Sequence, residues 1–314
     1  MDDDAAVTGL TDQGFAEWLA ARAGRALTAL RERGEHPDPD ALRKAGDRLS
    51  HDLLRTELAR WRPADAVLSE EDDGARRPWA GDHRPARAGA ARVWIVDPLD
   101  GTREYAEPGR TDWAVHVALW QGDPAARGQG AGGGAERRGP DGGAPEAAGP
   151  TATRLDPSGP AKGGPDGVLA AGAVALPARG LVLGTGVAPP PAAPDGPLRV
   201  AVSRTRPPAF VSRMIEDLGA VGVPMGSAGA KVCAVVTGEV DAYVHGGGQY
   251  EWDSAAPVAV ARAAGLHASR LDGSPLRYNQ PDPRLPDLVV CRPEWAGRLL
   301  AAIAAAQAAT APAG

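Results

Sequence analysis

Val93-Trp94-Ile95-Val96-Asp97-Pro98-Leu99-Asp100-Gly101-Thr102 is an apolar run that ends abruptly in two carboxylates and a Gly-Thr turn. Four large apolar residues followed by Asp-Pro read as a buried strand, and the fixed φ and missing N–H of Pro98 predict that the strand ladder stops there. Asp97 and Asp100 flank Pro98 at i and i+3, so both carboxylates can turn toward one point. Hard divalent cations such as Mg2+ take a few carboxylate oxygens and keep water and substrate phosphate as further ligands, which makes this strand end a candidate metal site. Gly101 and Thr102 then offer backbone N–H groups to a phosphate oxygen.

On the N-terminal side of this stretch, Phe15, Trp18, Leu19, Ala23, Ala26, Leu27 and Leu30 recur at three- and four-residue spacing after Thr11, a suitable N-cap. They predict an amphipathic helix ending near Gly34, and Leu49, Leu53, Leu54, Leu58 and Trp61 predict a second, with Asp47 at its start. Short β-like runs follow at Ala66–Leu68, Val93–Val96, Trp113–Trp120, Val168–Leu176 and Leu181–Gly184, the last two joined by the turn signal Pro177-Ala178-Arg179-Gly180. From Leu198 onward strands and helices alternate in α/β order: strand Leu198–Val202, helices near Pro207–Leu218 and Gly229–Val236, strand Asp241–Val244, helix Trp252–Ala264, strand Asp287–Cys291 and helix Glu294–Ala308. In the stretch Gln121–Gly167, 21 of 47 residues are Gly or Pro and none is aromatic, a composition that cannot bury a core and predicts a disordered, overgrown hairpin loop. The Pro-rich stretch Ala188–Pro197 is the expected boundary between an N-terminal α+β domain, residues 1–187, and a C-terminal α/β domain, residues 198–314.

A chain of 314 residues is long enough for two moderate domains. Its formal net charge of -6 argues against a nucleic-acid polymer as partner, since such surfaces carry basic patches, and implies that a phosphate ligand is held through a metal. Cys233 and Cys291, both in apolar surroundings, suggest neither disulfides nor a thiolate zinc site and fit a reducing cytoplasm. The acidic start Met1-Asp2-Asp3-Asp4 lacks the order of a signal peptide, and no apolar run approaches membrane-spanning length, so a soluble chain with no membrane partner is expected.

Further carboxylates sit in comparable settings: Glu70-Glu71 after the strand Ala66–Leu68, Asp253 at the opening of the helix Trp252–Ala264, and Asp47. Carboxylates at strand ends and helix starts face a crevice in α/β architectures. Two-metal hydrolysis of a phosphate ester needs such a cluster, because one ion aims a water while another neutralises the leaving oxygen. Taken singly, each has a plainer reading: an acidic pair after a strand is ordinarily a solvated turn, and Asp253 a first-turn charge favoured by the helix dipole. Gly226-Ser227-Ala228-Gly229-Ala230-Lys231 reads as a turn into a helix that could contact phosphate, although it lacks the full P-loop pattern. Arg204 and Arg206 read by default as solvated loop charges, and His51, His83 and His267 show no ligand spacing.

Together, Ser69-Glu70-Glu71, Asp97-Pro98-Leu99-Asp100-Gly101-Thr102 and Trp252-Asp253-Ser254-Ala255-Ala256 resemble, in kind and order, the motifs of the inositol monophosphatase superfamily of metal-dependent, lithium-sensitive phosphatases. The resemblance spans roughly Thr11 to Leu300 and implies an α/β fold, the layered αβαβα sandwich of inositol monophosphatase and fructose-1,6-bisphosphatase. The extension Arg103-Glu104-Tyr105 and the segments Asp241–His245 and Leu276–Asn279 are similar to the actinobacterial CysQ branch, the 3'(2'),5'-bisphosphate nucleotidases of sulfate assimilation. By position, the resemblance implies one Mg2+ on Glu70, Asp97 and the Leu99 carbonyl, a second on Asp97, Asp100 and Asp253, and a third, looser ion leaning on Glu70. It further implies that Asp47 and Thr102 form an acid–hydroxyl pair that activates the attacking water, that the Gly101 and Thr102 amides contact the scissile phosphate, and that Ser203, Arg206, Ser227 and Lys231 bind substrate beside Asp100 and Asp253. His245 departs from the Arg of several relatives, and Ala228 and Gly229 replace hydroxyl residues. The expected activity is Mg2+-dependent hydrolysis of the 3'-phosphate of 3'-phosphoadenosine 5'-phosphate, a small phosphorylated substrate. The alternatives are an inositol-1-phosphate or fructose-1,6-bisphosphate phosphatase, or a non-catalytic metal-binding regulator; a homodimer is allowed.

Overall fold

Strand β2 (Arg92–Asp100) decides the arrangement because both of its faces are covered. Alternation sends Trp94 and Val96 into one apolar cluster and Val93 and Ile95 into another, which is why the strand reads as a continuous apolar run. The computed structural model describes residues 7–79, 85–123, 167–192 and 195–310. Helices α1 (Asp12–Arg33) and α2 (Pro39–Trp61) cover the first face. Thr11 caps α1 by accepting from the Gly14 N–H, and Gly34 closes it at φ 65°, a left-handed conformation that suits glycine. α2 starts at Pro39 with Asp38 as its cap, so Asp47 stands well inside the helix and not at its start; Pro at the first helical position extends the helix upstream of its apolar stripe.

The first sheet runs β1 (Ala66–Ser69), β2, β3 (Ala114–Gln121), β4 (Val168–Leu176), β5 (Leu181–Gly184), with β1 parallel to β2 and the rest antiparallel. Gln121 of β3 pairs with Val168 of β4, so the Gly/Pro-rich stretch connects adjacent antiparallel strands; its residues 124–166 lie outside the described residues. Pro98 does not end the ladder as the sequence predicted. The register shifts between Asp97 and Asp100, and pairing resumes at Asp100 opposite Ala114, so the strand passes its proline through a bulge.

The second sheet has the order β10 (His267–Ser269), β12 (Leu288–Cys291), β8 (Ala242–His245), β6 (Arg199–Ser203), β7 (Val221–Met225). A two-stranded ribbon pairs β9 (Gln249–Tyr250) with β11 (Arg284–Leu285). Between the two sheets lie α5 (Ala228–Val236) and α6 (Glu251–Ala263), whose buried residues share one apolar cluster with both sheets. Helices α4 (Ala209–Leu218) and α7 (Ala296–Thr310) cover the far face of the second sheet. The layers therefore run helix, sheet, helix, sheet, helix. The short helix α3 (Thr102–Ala106) follows β2 directly and completes the framework of the site. No helix among the described residues is long and apolar enough to cross a membrane.

Candidate active site

Alternation along β2 continues past Ile95, so Asp97 points from the first sheet toward the middle helices, and the bulge brings Asp100 back to the same side. Ser50 of α2 fixes the bulge by donating to the Pro98 carbonyl at 2.6 Å. From the middle layer, Asp253 enters at the third residue of α6, with its Oδ2 accepting from the Tyr250 N–H at 2.7 Å in a capping box. Asp97, Asp100 and Asp253 each bring a carboxylate oxygen within 4.8 Å of the others.

These three aspartates line a cavity of about 300 Å³, whose wall also includes Glu70, Leu99, Gly101, Thr102, Ser203, Ser227 and Lys231. Gly101 adopts φ 83°, and a Cβ there would stand 3.0 Å from Ser227 and 3.2 Å from the Asp112 carbonyl, so only glycine lets α3 approach this closely. Arg206, which the resemblance placed at the substrate, is exposed and outside the cavity wall; its neighbour Arg204 lines the wall instead, paired with Glu104 at 2.9 Å and Glu107 at 2.8 Å. The backbone turns immediately after β6, with the Arg206 N–H donating to Ser203 Oγ, and this reverses which of the two arginines faces inward. Asp47 lies beyond the wall near Glu70 and Glu71, and among the described residues no hydrogen bond joins it to Thr102.

Burial and like charge dominate the electrostatics. Burial, then the charges of Glu70, Asp100 and Asp253, hold the Asp97 carboxyl well above the usual carboxylate range. Burial and Asp100 push Asp253 up to about 7, and burial with Glu71 and Glu70 pushes Asp47 to about 7. Glu70 is raised by burial and held back by Arg76. Asp100 is the exception. Burial alone would raise it, but His116, Ser227 and the Gly229 amide bring it down to about 2. Its Oδ2 accepts from Ser227 Oγ at 2.5 Å and from the Gly229 N–H at 2.7 Å, which commits the Ser227 hydroxyl to the carboxylate. Ser227 holds φ 44°, a strained value for a residue with a side chain, while it caps α5 through the Ala230 N–H. Lys231 Nζ donates to the carbonyls of Gly226 and Ser227 at 3.0 and 2.8 Å, and burial lowers its pKa.

His116 is the residue that sequence reasoning missed. It is fully buried on β3, with Nε2 3.2 Å from Asp100 Oδ2 and Nδ1 3.0 Å from the Trp252 carbonyl. A Cβ at Gly229 would stand 2.0 Å from its Nε2, which accounts for glycine at this position. The only sequence signal is a polar residue in the apolar alternation of β3, on the face shared by Ala114 and Ala118.

An all-oxygen donor set in which burial and neighbouring carboxylates raise the pKa of Asp97 and Asp253 suits a hard divalent ion, which would stabilise these two carboxylates in their ionised form beside the already ionised Asp100. Layered sandwich and acid-walled cavity thus define an α/β protein with a cluster of three aspartates between its two sheets. The chain matches the inositol monophosphatase family over residues 9–127 and 198–308, and it belongs to that metal-dependent family. It is 48% identical over 298 residues to a *Mycobacterium leprae* protein named 3'-phosphoadenosine 5'-phosphate phosphatase, covering 94% of each chain. It is 27% identical over 248 residues to the 3'(2'),5'-bisphosphate nucleotidase CysQ of *Escherichia coli* K12, covering 74% of this chain and 78% of the relative. The fold is similar to inositol monophosphatase II from *Staphylococcus aureus*, with a TM-score of 0.63 at 18% identity over 91% of this chain and 93% of the other.

Proposed function

We propose that this chain hydrolyses the 3'-phosphate of 3'-phosphoadenosine 5'-phosphate, giving AMP and inorganic phosphate. The observation that carries the reading is the cavity lined by three crowded aspartates and by the cations Arg103, Arg204 and Lys231, in a chain nearly half identical to relatives named for that reaction. Glu70, Asp97, the Leu99 carbonyl, Asp100 and Asp253 are the groups to hold Mg2+, two or three ions per site. Mg2+ bound there supplies Lewis acidity toward the phosphate and acidifies the attacking water.

The residues of the chain do the rest. The Gly101 and Thr102 N–H groups receive the phosphate oxygens, and the Thr102 hydroxyl orients the water for in-line attack. The new bond forms between water oxygen and phosphorus as the bond to the ribose 3'-oxygen breaks; the attacking water gives up one proton, and solvent returns one to the leaving 3'-oxygen. Asp47, which among the described residues makes no hydrogen bond to Thr102, is assigned to the acid–hydroxyl pair by the resemblance, and burial beside Glu71 and Glu70 raises its carboxyl to about 7. His116 and Ser227 hold Asp100 ionised and oriented. Ser203 and Lys231 face the part of the substrate beyond the scissile group. The division into residues 1–187 and 198–314 about the link 188–197 belongs to the same reading, with the cavity between the two parts.

Phosphate release measured side by side on 3'-phosphoadenosine 5'-phosphate, inositol-1-phosphate and fructose-1,6-bisphosphate, with Mg2+ and with a chelator, tests it. Highest kcat/KM on the nucleotide, abolished by chelation, is the expected result. Preference for either sugar phosphate would assign the chain to that substrate, and no release from any would leave a metal-binding regulator.

A further inference from the structure

The turn after β1 carries a cation that the reaction does not use. Arg76 donates through Nη2 to Glu70 Oε1 at 2.5 Å. Its guanidinium carbon lies 5.8 and 5.9 Å from the ring centroids of Tyr250 and Trp252, which stack 4.7 Å apart. The Tyr250 N–H holds Asp253, so one side chain reaches from the carboxylate at the end of β1 to the helix start that delivers another. The turn itself is built. Asp72 accepts from the Ser69 N–H, the Ala75 and Arg77 N–H groups bond back to Asp72 and Gly74, and the Trp79 N–H reaches the Pro281 carbonyl.

The two partners differ in their freedom. The Arg76 side chain is 53% exposed and the Glu70 side chain 25%, so the guanidinium can swing into water at small cost while the carboxylate stays in the cavity wall. Without that guanidinium, Glu70 would face Glu71, Asp47 and Asp97 with no cation in contact among the described residues.

We propose that Arg76 is the chain's own counter-ion for Glu70, and that guanidinium and a divalent cation compete for the same carboxylate oxygen, so that Arg76 sets the affinity of the cation position beside Glu70. The inference rests on the reading of Glu70 as a cation ligand, and it makes Arg76 a residue that tunes occupancy without touching substrate.

Mn2+ binding to the full chain, followed by the electron paramagnetic resonance of the free ion, tests it without turnover. Arg76→Ala and Arg76→Gln are expected to tighten the weakest class of Mn2+ sites about two- to five-fold, the range of a part-exposed ion pair, while Arg76→Lys stays near the parent. In a Glu70→Gln background Arg76→Ala is expected to change nothing. Unchanged or weaker binding in both Arg76→Ala and Arg76→Gln overturns the proposal, as does equal tightening in the Glu70→Gln background, which would mark a general charge effect. If Glu70→Gln itself leaves Mn2+ binding untouched, the reading of Glu70 as a ligand fails and this proposal falls with it.

Discussion

Asp97, within β2, and Asp241, immediately before β8, are both almost fully buried aspartates, and the protein treats them in opposite ways. Asp241 accepts four hydrogen bonds. The Arg199 N–H and Nε reach its Oδ2 at 2.9 and 3.0 Å, and Arg199 Nη2 and Arg292 Nε reach its Oδ1 at 2.9 and 3.2 Å. Burial alone would raise its pKa, but the guanidinium bonds hold the carboxyl below the usual range. Asp97 receives the Leu99 N–H at 3.0 Å, has His116 Nδ1 4.0 Å from its Oδ2 with no hydrogen bond between them, and otherwise faces Glu70, Asp100 and Asp253. A buried charge that the chain itself neutralises is structural. One that the chain surrounds with more of its own sign needs a partner from outside, and that difference separates a strand tie from a reaction centre.

The largest effect that would break this comparison is at Asp97. Asp97→Asn keeps an oxygen to accept from the Leu99 N–H but removes the charge, so turnover in excess Mg2+ should fall at least about a thousand-fold, roughly 4 kcal/mol of barrier. Metal-free protein should unfold at the same temperature or higher, since one of the crowded charges is gone. Parent-like kcat in Mg2+ would remove the metal-cluster reading.

At Asp241 the expectation reverses. Asp241→Asn leaves the buried Arg292 guanidinium without its carboxylate and loosens the tie between β6, β8 and β12, at a cost of about 2–4 kcal/mol, the lower end reflecting the partial exposure of Arg199. Urea unfolding checks it, and phosphate release by the folded fraction should be little changed. A loss below about 1 kcal/mol would mean that the guanidinium pair is no more than a surface ion pair.

The same contrast explains what could be read from the chain before its structure. Local signals were legible: the two-sided burial of β2, the caps Thr11 and Gly34, and the paired strands on either side of Pro177–Gly180. β7 escaped because Gly222 and Pro224 break its apolar pattern, as an edge strand tolerates, and β10 is only three residues long. Pro98 was expected to stop a ladder that instead bulges, because a bulge depends on the partner strand. Within the site, Glu70, Asp97, Asp100 and Asp253 stand out by motif. His116, Arg76 and Arg204 do not, because each takes its meaning from a contact distant in sequence or from the way a turn closes: Trp252 is 136 residues from His116, and Glu104 is 100 from Arg204.

The smallest expected effect sharpens the comparison by pH. A carboxyl whose pKa is depressed on folding contributes stability that is fully present above its unfolded value, near 3.8, and is lost as pH falls through the lower folded value. Asp241 is such a group, so the stability gap between parent and Asp241→Asn should be constant from about pH 5 to 7 and narrow below about pH 4, as the parent's carboxyl takes up its proton and the guanidinium bonds lose their charge. Asp112 and Asp287 are also held low, and they titrate in both proteins, so they cancel in the difference. Urea midpoints of both proteins from pH 3 to 7 measure the gap. One that stays constant into acid would show that Asp241 contributes by shape and neutral hydrogen bonding alone, and the opposition between a neutralised and an uncompensated buried carboxylate would then rest on Asp97 only.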